Sequence, residues 1–128
     1  MTDIFTYNIM NNNNKNNCKF NFYKNNDFFG MILFHIEHNS LIIAWLCISP
    51  GINLTPPSIN HRKGYGTKMF RMFEQYILDT YPEIKYFTLI PEKFDGVNKN
   101  TLCYFYEKNG FIQELEGNPT YIKYISHF

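Results

Sequence analysis

Two turn signals, Asn25-Asn26-Asp27 and His38-Asn39-Ser40, most constrain how this chain can fold. The residues around them alternate as half-buried strands do, as in Lys19-Phe20-Asn21-Phe22-Tyr23-Lys24, where Phe20 and Phe22 share a face. Strands separated by so few residues turn back on one another, so 19–24, 28–37 and 41–49 read as an antiparallel meander. Residues 4–10 alternate loosely and supply an edge strand, joined to the meander by an Asn-rich turn over 11–17.

Pro50-Gly51 ends the fourth strand, and residues 52–60, with Pro56-Pro57, are neither helix nor central strand. Beyond this loop the period changes. Met69, Phe70, Phe73, Tyr76 and Ile77 fall at helical spacing within 67–81, with Lys68, Arg71, Glu74 and Gln75 on the other side. Tyr81-Pro82 stops that helix. A strand at 84–90 follows, and the helix before it permits a crossover to a parallel neighbour. After a loop at 91–98, Asn98 or Asn100 can cap a second helix carrying Leu102, Phe105 and Tyr106, which Asn109-Gly110 ends in a left-handed turn. Residues 111–116 and 120–126 read as two antiparallel strands around Gly117-Asn118-Pro119. The order predicts an α/β (α+β) fold with a mixed, mostly antiparallel sheet, one parallel junction and flanking helices. At 128 residues it is one domain, 1–128, whose amino-terminal part, 1–27, is short and Asn-rich.

Thirteen Phe and ten Tyr make aromatic packing the main source of a core. A formal charge of +1 argues against an electrostatic nucleic-acid binder, which concentrates basic residues on one face. Cys18, Cys47 and Cys103 are odd in number and widely spaced, so neither a disulfide framework nor a metal site is expected. His35, His38, His61 and His127 form no ligand pattern. The first residues lack a basic stretch followed by an apolar run, so no signal peptide is expected, and the longest apolar run, 41–48, is too short to cross a bilayer. A soluble, cytoplasmic protein is the expectation. Asn, Ile, Lys, Tyr and Phe abound while Ala44 is the only alanine and Val97 the only valine, as an AT-rich genome produces.

The segment Arg62-Lys63-Gly64-Tyr65-Gly66-Thr67, at the start of the amphipathic helix, has the makings of an anion site. Gly64 and Gly66 let backbone approach closely, first-turn N–H groups are free, and the helix dipole favours a phosphate. Arg62, Lys63 and Lys68 can add charge-assisted contacts. Taken alone the segment is equally an ordinary turn. It is neither a Walker A loop, which ends Gly-Lys-Ser/Thr, nor a dinucleotide fingerprint, which needs a third glycine.

With Asn100-Thr101-Leu102-Cys103-Tyr104-Phe105-Tyr106-Glu107-Lys108-Asn109-Gly110-Phe111 downstream, the pattern resembles the Gcn5-related N-acetyltransferases over about 28–125. That family's first motif, (Gln/Arg)-x-x-Gly-x-(Gly/Ala), aligns with His61, Gly64 and Gly66. Its second, ending Tyr-Glu-Lys-x-Gly-Phe, is met by Tyr106 to Phe111.

The resemblance implies a splayed sheet, open between the fourth and fifth strands, that binds acetyl-CoA as co-substrate. Strand-edge groups of Leu46, Cys47 and Ile48 would hold the pantetheine arm, and the amides of Lys63, Gly64, Tyr65, Gly66 and Thr67 the pyrophosphate. Asn100, or Asn98, answers to a family asparagine near the second helix. It further implies direct attack of a neutral amine, in a small molecule or a protein, on the thioester, with Tyr106 as general acid for the departing thiolate. No glutamate stands on the fourth strand; Glu92, directly or through water, and Glu37 are candidate bases, and the base need not be a side chain. His61 replaces the usual Arg/Gln and makes pH-sensitive cofactor binding an expectation. Residues 51–60 form an insertion, and the amino-terminal part is too short for the two helices that wall the acceptor site. The other implied class is a non-catalytic acyl-CoA-binding or interaction module of the same fold. Cys47 and Cys103 read as buried thiols, Trp45 as core or cleft wall, and the carboxy-terminal strands as edges able to pair in a homodimer.

Overall fold

The computed structural model of the chain describes residues 2–10, 16–48, 65–90, 99–113, 117 and 120–125, leaving aside the side chains of 45–48, 65 and 99–102. Six strands form one sheet in sequence order: β1 (Phe5–Met10), β2 (Cys18–Lys24), β3 (Asp27–Glu37), β4 (Ser40–Ile48), β5 (Tyr86–Leu89) and β6 (Tyr121–Tyr124). Neighbours are antiparallel except β4 and β5, which are parallel. Helix α1 (Tyr65–Thr80) lies between those two in the chain, and α2 (Lys99–Lys108) between β5 and β6.

The turns form because their residues accept a left-handed backbone. Asn25 (φ 52°) and Asn26 (φ 71°) fill the two-residue β2–β3 loop, the geometry that matches strand twist in a tight hairpin. In the β3–β4 loop His38 takes φ 56°, and the Ser40 hydroxyl donates to the Glu37 carbonyl at 2.9 Å. Asparagine is also placed where it does work: Asn21, buried, donates to Asn8 Oδ1 at 3.0 Å across β1 and β2.

Met69, Phe70, Phe73 and Ile77 are buried at helical spacing and bring α1 down on the sheet face lined by Phe20, Ile32, Phe34, Leu41 and Phe87. Phe73 sits at the centre, its ring centroid 5.3 Å from Phe20, 5.1 Å from Phe34 and 6.0 Å from Phe87. Edge-to-face pairs of this kind add about 0.5–1.5 kcal/mol each beyond area burial. Phe70 continues the aromatic chain to Phe111 at 5.6 Å.

Several sequence expectations shift. The first helix begins at Tyr65, so Tyr65 and Gly66 are helical and not part of a turn. Glu74 is not on the solvent side: its carboxylate pairs with Lys123 of β6 at 2.6 Å, both side chains about three-quarters buried (24% and 22% exposed). The fifth strand narrows to Tyr86–Leu89 because its ladder with β4 covers only four residues. The strand expected at 111–116 is reduced, among the described residues, to one bridge between Ile112 and Ile122. Of the thiols, Cys18 is buried and Cys103 only half-buried.

Candidate functional site

The parallel ladder between β4 and β5 runs from Ser40–Tyr86 to Ile43–Leu89 and stops, whereas β4 stays paired to β3 as far as Ile48–Gly30. Over residues 44–48 the edge of β4 on the β5 side therefore meets no strand among the described residues. The change coincides with a bulge. Phe34 faces Ile43 but Leu33 faces Trp45, so Ala44 is an extra residue on β4. A bulge bends its strand and increases its twist, and this one sits at the residue where the ladder ends. Leu46, Cys47 and Ile48 all fall on the unpaired stretch.

The second part of the site is the start of α1. Tyr65, Gly66 and Thr67 form its first turn, which carries no acidic side chain to oppose an incoming anion. Gly66 is buried, and the glycines with positive φ among the described residues are Gly110 and Gly117, so left-handed freedom is not what Gly66 supplies. Lys68 is drawn elsewhere: its ammonium lies 4.4 Å from the centre of the Phe5 ring on β1. His61, Arg62, Lys63, Gly64 and Glu92 lie outside the described residues.

The third part is the end of α2. Gly110 (φ 96°) closes the helix, with the Phe111 N–H donating to the Tyr106 carbonyl and the Gly110 N–H to the Glu107 carbonyl, both at 3.0 Å. This is the paired-bond left-handed cap expected from Asn109-Gly110. It sets Phe111 against Tyr106 (5.8 Å) as well as Phe70, while Asn109 donates to the Phe105 carbonyl at 2.8 Å and reaches the Thr67 hydroxyl at 3.5 Å. The two motifs, separate in sequence, are thus in contact: the end of α2 rests on the start of α1. Asn100 does not cap α2, since Lys99 is already helical; Asn98, the neighbouring position, is outside the described residues.

Tyr106 is 5% exposed, and among the described residues its hydroxyl has no hydrogen-bond partner. Burial first, and the nearby Cys103 thiol second, hold its phenol well above the ordinary value. It is therefore protonated throughout the neutral range, a donor without an acceptor among the described residues. Sequence reasoning missed Tyr121, a buried residue; interaction with Cys103 first, then burial, pushes its phenol up to about 12. The available signal was the spacing of Cys103 and Tyr106, three apart on one helix and so on one face. Among the described residues no group of His, Cys, Asp or Glu could hold a metal ion, and no helix is long and apolar enough to cross a membrane.

No protein-family model matches the sequence, and no curated protein is similar to it at the sequence level. Solved structures are similar in fold. Gcn5 of Tetrahymena matches with TM-score 0.60 at 18% identity, over 88% of this chain and 71% of that one. A GNAT family acetyltransferase of Elizabethkingia anophelis, with acetyl-CoA bound, matches with TM-score 0.61 at 10% identity, over 94% and 98%. Paia N-acetyltransferase of Thermoplasma acidophilum, in complex with coenzyme A, matches with TM-score 0.59 at 18% identity, over 84% and 60%. The chain has the fold of the Gcn5-related N-acetyltransferases.

Proposed function

We propose that this chain is an acetyl-CoA-dependent N-acetyltransferase that moves an acetyl group to a primary amine, in a small molecule or a protein, by direct attack. The observation that carries the reading is the outer half of β4, unpaired toward β5 from the Ala44 bulge onward. Strand-edge groups there, which meet no strand on that side among the described residues, suit the amides of a pantetheine arm, which would lie along Leu46, Cys47 and Ile48 as a strand lies along its neighbour. The arm leads to the first turn of α1, where the amides of Tyr65, Gly66 and Thr67, with Lys63 and Gly64 before them, would receive the pyrophosphate. His61 and Arg62 would add donors, and Asn100 or Asn98 a further polar contact.

The amine nitrogen attacks the thioester carbonyl carbon, the C–S bond breaks, and the CoA thiolate takes a proton. Tyr106 fits the donor's role, because burial keeps its phenol protonated and its hydroxyl has no hydrogen-bond partner among the described residues. The amine's own proton would leave to Glu92, to a water it orders, or to solvent.

Calorimetric titration with acetyl-CoA, alongside release of free CoA thiol across a panel of amines, tests the proposal. Binding with amine-dependent release is expected. Binding without release for any amine would instead support a non-catalytic acyl-CoA module, and absence of binding sinks both readings.

A further inference from the structure

Asn109 places a buried amide between the end of α2 and the first turn of α1. The residue is 8% exposed, and its side-chain nitrogen donates to the Phe105 carbonyl at 2.8 Å and to the Thr67 hydroxyl oxygen at 3.5 Å. A carbonyl can only accept, so the Phe105 bond fixes which end of the amide is nitrogen, and Thr67, on that same nitrogen, must accept as well. The side chain is not required as a helix cap, because the Phe105 carbonyl already receives the Asn109 main-chain N–H at 3.2 Å. Its place is set from the far side by the left-handed turn at Gly110 (φ 96°) and by the Phe111 ring against Phe70 at 5.6 Å. Burying an amide costs free energy unless its groups are used, and the partner of this one beyond its own helix is Thr67.

An oxygen that accepts from Asn109 keeps its own proton for another acceptor. Among the described residues the Thr67 hydroxyl donates to nothing. Thr67 is half-buried in the first turn of α1, where main-chain N–H groups have no partner within the helix, so its hydroxyl joins a set of donors. We propose that Asn109 is a positioning residue for the pyrophosphate of acetyl-CoA: by filling one lone pair of Thr67 Oγ1, it turns the hydroxyl proton toward a phosphate oxygen. The inference rests on the acetyl-CoA reading above and extends it to a residue of the second motif. In this role Asn109 acts through Thr67 and makes no contact with the cofactor itself.

Acetyl-CoA affinity is measured by calorimetry, with urea denaturation alongside, for Asn109→Ala made in the unaltered chain, in Thr67→Ser and in Thr67→Val. Asn109→Ala should weaken binding about three- to tenfold wherever position 67 carries a hydroxyl, the worth of one hydrogen bond. In Thr67→Val, which has no hydroxyl to orient, it should change nothing. Asn109→Asp keeps the shape and reverses the polarity. Its carboxylate draws the Thr67 proton to itself, and binding should fall by more than about tenfold. Equal losses in all backgrounds, or no loss in any, overturn the positioning role and leave the proposed function standing. Where Asn109→Ala does not fold, Asn109→Asp decides, and affinity equal to that of the unaltered chain overturns the role. An unaltered chain that does not bind acetyl-CoA overturns both.

Discussion

The two halves of β4 differ in how they are held. Residues 40–43 are paired on both edges, to β3 and to β5, with Leu41 and Ile43 buried under α1. Residues 44–48 keep β3 but lose β5, and one extra residue, Ala44, separates the two regimes. The closed half is where the fold is secured, and the open half is where, under the proposed function, the pantetheine arm would lie. Stability and chemistry should therefore separate under mutation.

The largest effect should come from the closed half. Phe73→Ala removes the ring shared by Phe20, Phe34 and Phe87 and should cost about 3–5 kcal/mol in urea denaturation. A loss below about 1 kcal/mol would mean that the aromatic cluster is not the anchor of that half. Tyr106→Phe tests the open half. It should slow CoA-thiol release about 100-fold, the lower range for a general acid, with folding stability unchanged or slightly raised, because the deleted hydroxyl is buried with no partner among the described residues. Equal losses in rate and stability would collapse the distinction. Gly110→Ala should fall between the halves. It forces a Cβ onto φ 96° and to 3.0 Å from Lys123 Cε, costing about 1–2 kcal/mol, and by shifting α2 against Thr67 it should weaken acetyl-CoA binding in calorimetry. The smallest effect is confined to alkali. The phenols of Tyr76 and Tyr121 are each pushed up to about 12, Tyr76 by burial and then Tyr81, Tyr121 by Cys103 and then burial. Raised phenols favour the folded state below the ordinary value of 10, and that contribution is lost as pH climbs through 12. Tyrosinate absorbance and circular dichroism should move together in that window, with no change from these groups at neutral pH.

Much of the closed half was legible in the sequence, because its causes are local. Alternation around Asn25-Asn26 and His38-Asn39 set the meander, helical spacing from Met69 to Ile77 set α1, and Asn109-Gly110 set the end of α2. What was not legible depends on partners distant in sequence. The Ala44 bulge exists only as a mismatch with Leu33 and Phe34, so period-two reading cannot find it. The Glu74–Lys123 pair joins residues far apart in the chain, which is why periodicity alone put Glu74 in solvent. The influence of Cys103 on the Tyr121 phenol likewise joins residues far apart in the chain. Chain pattern fixed where Tyr106 lies; only packing revealed how deeply it is buried.

The sheet's spatial order is its sequence order, and that has a consequence in time. β2, β3 and β4 are joined by two-residue turns and can zip one after another. The parallel ladder of β4 with β5 must instead close over residues 49–85, an entropic cost that grows with loop length and slows folding. The slowest contact to assemble is thus the one whose far end marks the parting of β4 and β5, and a chain halted before that step holds a finished meander without it.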